Sequence, residues 1–266
     1  MSATHIGMQR TPGVKRYTLP PMDSANTIRD AMTSVALLRS KAKADPALGE
    51  SVAAVKRFQA NRFRRCYADL LSAAEFGAAS RFFLDELYGE ADYAERDQQF
   101  ARIAATLATV FPAAVVGTAV ALSRLHLLTE QLDHQMAEHC LLQAKSAFDL
   151  DAASYLAAWR CVGRRADRQY QLESVLELGR ELADLTRKPG LLFLLKLMHR
   201  PAKSAGLASL QQFLERGFEI FAMMSRSKGK VAQFLSTIET RESNWLNLMF
   251  EELPGDASNL LSSLSD

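Results

Sequence analysis

The chain has 266 residues, with 48% hydrophobic and 23% charged positions, and its 32 Lys and Arg nearly cancel 30 Asp and Glu. That apolar content excludes disorder along the whole chain, and the charge balance gives no strongly basic nucleic-acid binder. With 13 Gly and 8 Pro the chain is poor in turn formers, which argues against a many-stranded sandwich or barrel.

In chain order, apolar residues recur at helical spacing and no run alternates like a strand. Residues 1–22 hold three prolines, three cations and no apolar core of a signal peptide, so they read as a flexible tail. Asp23 or Ser24 caps a first helix to about residue 43. Asp45-Pro46 restarts the chain, with proline suited to a first helical turn, and a second helix follows to about 74. Gly77 marks a break before a short helix over 82–88. Asp92 with Glu95 forms a capping-box pattern for the next helix, which ends at Phe111. Pro112 opens a long helix to about Phe148, and Asp149 or Asp151 caps another through Leu185. Residues 191–198 form a short, very apolar helix after Lys188-Pro189-Gly190, expected in the core. Two more helices, over 201–224 and 228–252, precede a C-terminal tail at 253–266.

The expected fold is all-α: one domain over 23–252, a multi-helix bundle or irregular helical array of about eight or nine helices with long central ones. Residues 103–123 carry no charge over a length that can span a bilayer. Their Ala and Thr content and central Pro112 fit two core helices better than a membrane span.

Residues 82–89 read Phe-Phe-Leu-Asp-Glu-Leu-Tyr-Gly. The stretch resembles a bacterial family named for the motif Phe-Phe-Leu-Glu-Glu-Leu-Tyr (FFLEELY), with Asp85 in place of the first Glu. The similarity extends through 59–71, 92–97, Leu132-Asp133, 160–164, 187–189, 201–207, 210–218 and Arg241-Glu242. It implies an all-helical bacterial protein of unknown function and brings no catalytic residue with it.

Four constellations carry chemistry. Asp85, Glu86, Tyr88, Asp92, Glu95, Arg96 and Asp97 form an acidic corner. It suits a polar clamp around a helix–helix turn, with Arg96 pairing Asp92, and less readily acid/base chemistry. His126, Glu130, His134 and Glu138 recur at spacing four. They read as a solvated stripe and only weakly as metal ligands, since neither HExxH nor a Glu-x-x-His pair is present. Arg160, Arg164 and Arg168 share one helix face at spacing four, and three like charges there call for acidic partners or an anion. The apolar 191–198 helix has Lys188 before it and His199, Arg200 and Lys203 after it; such a helix can touch a membrane surface, but it is short and cations suit a helix C-terminus, so the core reading leads.

There is no Walker A, GxGxxG or GxSxG motif, so no cofactor and no catalytic residue is assigned. Three scattered cysteines without CxxC fit a reducing cytoplasm. The leading expectation is a cytoplasmic binding or interaction module, open to a regulatory role and without catalysis. Its expected partner is another protein, not nucleic acid or membrane, and a homo-oligomer is compatible. The alternative is a small anionic-ligand binder or enzyme built on an internal cluster of Arg160, Arg164 and Arg168 with Asp85, Tyr88, Arg96 and Asp97. A second alternative is weak nucleic-acid association through arginine-rich faces, including Arg62, Arg64 and Arg65. By segment the net charge is +8 over 1–66, −7 over 67–149, +6 over 150–230 and −5 over 231–266. Four alternating blocks of this kind favour pairing within one fold.

Overall fold

A computed structural model describes residues 20–87, 92–143 and 150–251. All regular structure among them is helical. Twelve helices follow in order: α1 (Pro21–Ala44), α2 (Pro46–Cys66), α3 (Ala68–Ser72), α4 (Gly77–Leu87), α5 (Ala94–Val110), α6 (Ala113–Gln143), α7 (Ala152–Val162), α8 (Arg165–Thr186), α9 (Leu191–Leu197), α10 (His199–Ser204), α11 (Ala208–Ser225) and α12 (Lys230–Phe250). Except for residues 20–22, the expected tails lie outside the described residues. So do Tyr88, Gly89 and the expected end of the long helix at Phe148.

The boundaries follow local chemistry. Asp45 Oδ1 accepts from the amides of Ala47 and Leu48 at 3.0 and 3.2 Å, and Pro46 occupies the first turn of α2. Asp151 Oδ1 accepts from Ser154 N at 2.7 Å to start α7. Gly190 and Gly229 take left-handed conformations immediately before α9 and α12. The uncharged 103–123 stretch is divided between α5 and α6 at Phe111-Pro112. No helix among the described residues is long and apolar enough to cross a membrane.

The helix count exceeds expectation for identifiable reasons. The second expected helix breaks at Tyr67. The expected 151–185 helix breaks at Gly163-Arg164, both at positive φ (62° and 55°). The expected 201–224 helix divides around Gly206, also at positive φ.

Helix α6, 31 residues and so about 46 Å long, runs through the array. It meets α1, α2, α5, α7 and α8, while α8 also packs on α11 and α12. One apolar cluster joins α2, α4, α7, α8, α11, α12 and the C-terminal half of α6. A second joins α1, α5, the N-terminal half of α6 and Leu210 of α11. Phe213 packs against both. The charge blocks meet across the fold: Arg39 reaches Asp97, Lys56 reaches Glu130, Arg216 reaches Asp85 and Arg62 reaches Glu242.

Two expectations are corrected. Helix α9 has no buried residue and is not a core helix. Glu130 and His134 are buried, so the His-Glu stripe of α6 is not a solvated face.

Candidate functional site

Five helices each turn one polar i, i+3/i+4 pair toward a cavity of about 80 Å³, and a sixth, α4, adds Phe83 to its wall. Helix α2 supplies Gln59 and Arg62, α6 supplies Thr129 and Asp133, and α7 supplies Tyr155 and Trp159. Helix α8 supplies Arg168 and Gln171, and α12 supplies Glu242 and Trp245. The walls between these groups are apolar, including Phe63, Phe83 and Leu172.

Arg168 is the centre of the site. Its residue is 3% exposed, and its guanidinium lies over the Trp159 ring, 3.3 Å from the centroid. Nε approaches the Gly163 carbonyl at 3.4 Å, while Nη2 is buried with no hydrogen-bond partner among the described residues. Trp159 Nε1 is a second buried donor without a partner. Such orphan donors are costly unless something fills them. Burial pulls the Arg168 pKa down to about 10, against the opposing pull of Tyr155 and Asp133. The group therefore stays cationic at neutral pH.

The break between α7 and α8 makes this geometry. Residues 159 and 168 of one straight helix would stand about 13 Å apart along its axis. The turn through Gly163 and left-handed Arg164 folds them face to face.

The acidic side of the cavity is unequal. Glu242 accepts from Arg62 through both oxygens, at 2.9 and 3.0 Å, and from Tyr67 Oη at 2.7 Å. Asp133 has only a neutral donor among its hydrogen bonds, Gln59 Nε2 at 3.0 Å. Its burial pushes its pKa up, with Glu130 adding to the rise and Lys56, Gln59 and Arg168 opposing it. Burial also raises the Tyr155 phenol to about 12. The cavity thus combines a fixed cation, a carboxyl biased toward its neutral form and amide and hydroxyl groups.

The other site residues expected from sequence are dispersed. Arg160 donates from Nε to the Met249 carbonyl at 3.1 Å and from Nη2 to the Glu251 carbonyl, tying α7 to the end of α12. Arg164 meets Asp167 at 2.7 Å and Gln135 at 3.0 Å. Asp85 is exposed and pairs with Arg216 at 2.6 Å. Arg96 pairs with Glu86 at 2.5 Å rather than with Asp92, and lies over the rings of Tyr93 and Phe213. Asp97 meets Arg39 and His126, both at 2.8 Å. Of the Arg/Asp/Tyr cluster, then, Arg168 alone among the described members lines the cavity.

The weak metal candidates belong to the Asp97 network. His126 faces Asp97, and Glu130 faces Lys56 at 2.8 Å and Arg39 at 3.8 Å. Both ring nitrogens of His134 face backbone carbonyls, of Glu130 and Leu38. These side chains are engaged by cations and carbonyls and do not converge on a common point. Sequence reasoning missed Gln59, Asp133, Tyr155 and Glu242 as a site. Their one local signal is a polar residue at i+3 or i+4 on an otherwise apolar face.

Together these features define an all-helical protein with an internal, cation-bearing polar cavity. Residues 38–255 match the family "Domain of unknown function (DUF8198)", and the chain belongs to that family. No curated protein and no solved structure matches it.

Proposed function

We propose that the protein is a binding module whose ligand is a small monocarboxylate held in the cavity by Arg168. The observation that carries the reading is the buried Arg168 Nη2 with no partner, at the wall of a cavity. One cation lacking a salt bridge in the cavity calls for one negative charge, and a guanidinium offers two parallel donors to a carboxylate. Size narrows the ligand: about 80 Å³ takes a few non-hydrogen atoms and no nucleotide. Burial raises the Asp133 pKa, which favours the protonated carboxyl as a further donor to the same ligand.

The first three residues of the stretch read as an FFLEELY-type motif serve packing in this account: Phe82, Phe83 and Leu84 are buried. Three cysteines without a disulfide suit a cytoplasmic setting.

Calorimetric titration with acetate, propionate, lactate and inorganic phosphate tests the reading. The expected result is saturable heat from at least one carboxylate, none from phosphate, and loss of that heat in Arg168→Met. Thermal unfolding gives a parallel readout. A ligand at a hundredfold excess over Kd stabilises by about 2.7 kcal/mol, which raises Tm by roughly 5–10 °C in a chain of this size. No carboxylate binding, or binding unchanged in Arg168→Met, overturns the reading.

A further inference from the structure

The geometry points to α9 as a docking surface for an anionic lipid bilayer. Every residue from Leu191 to Leu197 is hydrophobic except Lys196, yet none is buried. Phe193 and Leu197 are 72% and 60% exposed, and Leu194 and Met198 are 41% and 40% exposed. These four stand at i, i+1, i+4 and i+5 and therefore form one continuous stripe. An apolar stripe of this kind on a protein surface marks an interaction site.

Charge selects the occupant. Residues 185–214 contain five cations, Arg187, Lys188, Lys196, Arg200 and Lys203, and no Asp or Glu. All five are exposed. Acidic groups of neighbouring segments meet some of the basic side chains: Glu219 pairs with Lys196, Glu215 with His199 and Asp184 with Arg187. Lys188, Arg200 and Lys203 form no ion pair among the described residues. Apolar side chains set among unspent cations match acyl chains beneath anionic headgroups. A second copy is the poorer occupant, because a two-fold contact sets the same cations against each other. The contact is interfacial, as no described helix spans a membrane. It departs from the sequence-based expectation of no membrane partner, which took α9 as core, and it is independent of the cavity.

Sedimentation with vesicles of phosphatidylcholine, with and without about a third phosphatidylserine, tests it. The full chain is expected to sediment with the anionic vesicles, to bind neutral ones weakly, and to be released as salt rises toward ~0.5 M. Phe193→Ser with Leu197→Ser, and separately Lys188→Gln with Arg200→Gln and Lys203→Gln, are each expected to lower partitioning at least about tenfold. All these positions are exposed, so unchanged circular dichroism and melting are expected in both variants. Absence of binding to anionic vesicles, equal binding to neutral ones, or full binding by the Phe193/Leu197 variant overturns the proposal. So does a wild-type dimer that ignores vesicles and dissociates in that variant, or an acidic protein segment that binds α9 while vesicles do not.

Discussion

Arg62 on α2 and Glu242 on α12, 180 residues apart in the chain, face each other as a two-pronged ion pair inside the protein. The Tyr67 hydroxyl adds a third hydrogen bond to Glu242, and Trp245 lies beneath the guanidinium at 4.8 Å. Removing one charge strands the other where water does not reach it. Glu242→Gln should therefore cost about 3 kcal/mol of stability in urea unfolding. The double substitution Arg62→Met with Glu242→Leu should cost less than the single one. A loss under ~1 kcal/mol for Glu242→Gln would show the pair to be well hydrated.

Asp133 should give the protein a component of stability that favours acid. Its native pKa is raised, so the folded chain holds this proton more tightly than the unfolded one. That contribution is complete below the ordinary Asp value of 3.8 and is lost as pH rises through the elevated native value. Asp133→Asn keeps an acceptor for Gln59 and removes the ionisation. Relative to wild type, its stability should improve as pH rises above 3.8 and through the elevated native value, as measured by denaturant unfolding at each pH. If Asp133 also donates to a bound carboxylate, wild-type affinity should fall over the same rise.

Asp97 and Glu130 work in the opposite direction. Burial alone would raise both pKa values. His126, Arg39 and Arg96 outweigh it at Asp97, and Lys56, His126 and Arg39 outweigh it at Glu130, so both lie below their ordinary values. Their stabilisation is present above the unfolded values of 3.8 and 4.5 and is lost as pH falls through the native ones. Arg39 serves both carboxylates. Arg39→Met should move the midpoint of acid unfolding, followed by circular dichroism, to higher pH. An unmoved midpoint would assign acid lability elsewhere.

Gly217 of α11 lies against Phe82, the first residue of the motif stretch. A Cβ there would meet the ring Cζ at 2.9 Å. Glycine to alanine in a helix ordinarily gains up to about 1 kcal/mol. Here overpacking should win, and Gly217→Ala should lower stability by about 1–2 kcal/mol. Phe82→Leu in the same chain should recover part of the loss, which a double-mutant cycle measures.

Much of the fold is legible where chemistry is local. Asp45-Pro46, Phe111-Pro112 and Asp151 mark helix boundaries because caps and proline act over a few residues. The break at Gly163 is not legible in the same way. An isolated glycine is tolerated in helices, and Arg164 is not a residue from which a left-handed conformation is read. The arginine spacing that singles out Arg168 assumes a continuous helix, so it pairs Arg168 with the wrong neighbours. Helix α9 shows the other limit: apolar composition says that a segment avoids water, and only its neighbours decide whether they cover it. The cavity draws on six helices from Gln59 to Leu246, and no window of the chain contains it.

The turn at Gly163-Arg164 also sets what kind of change the site tolerates. The side chain at 164 contributes hydrogen bonds to Asp167 and Gln135 and a little strain, so exchanging Arg164 for Gly or Asn leaves the path of the chain intact. Length is another matter. One residue inserted or removed there advances or retards α8 by about 100° about its own axis. Arg168 would then swing away from Trp159, and Asp167 or Gln169 would take its place at the cavity wall. The reading frame of this single joint, more than the identity of the residues in it, keeps the cation inside.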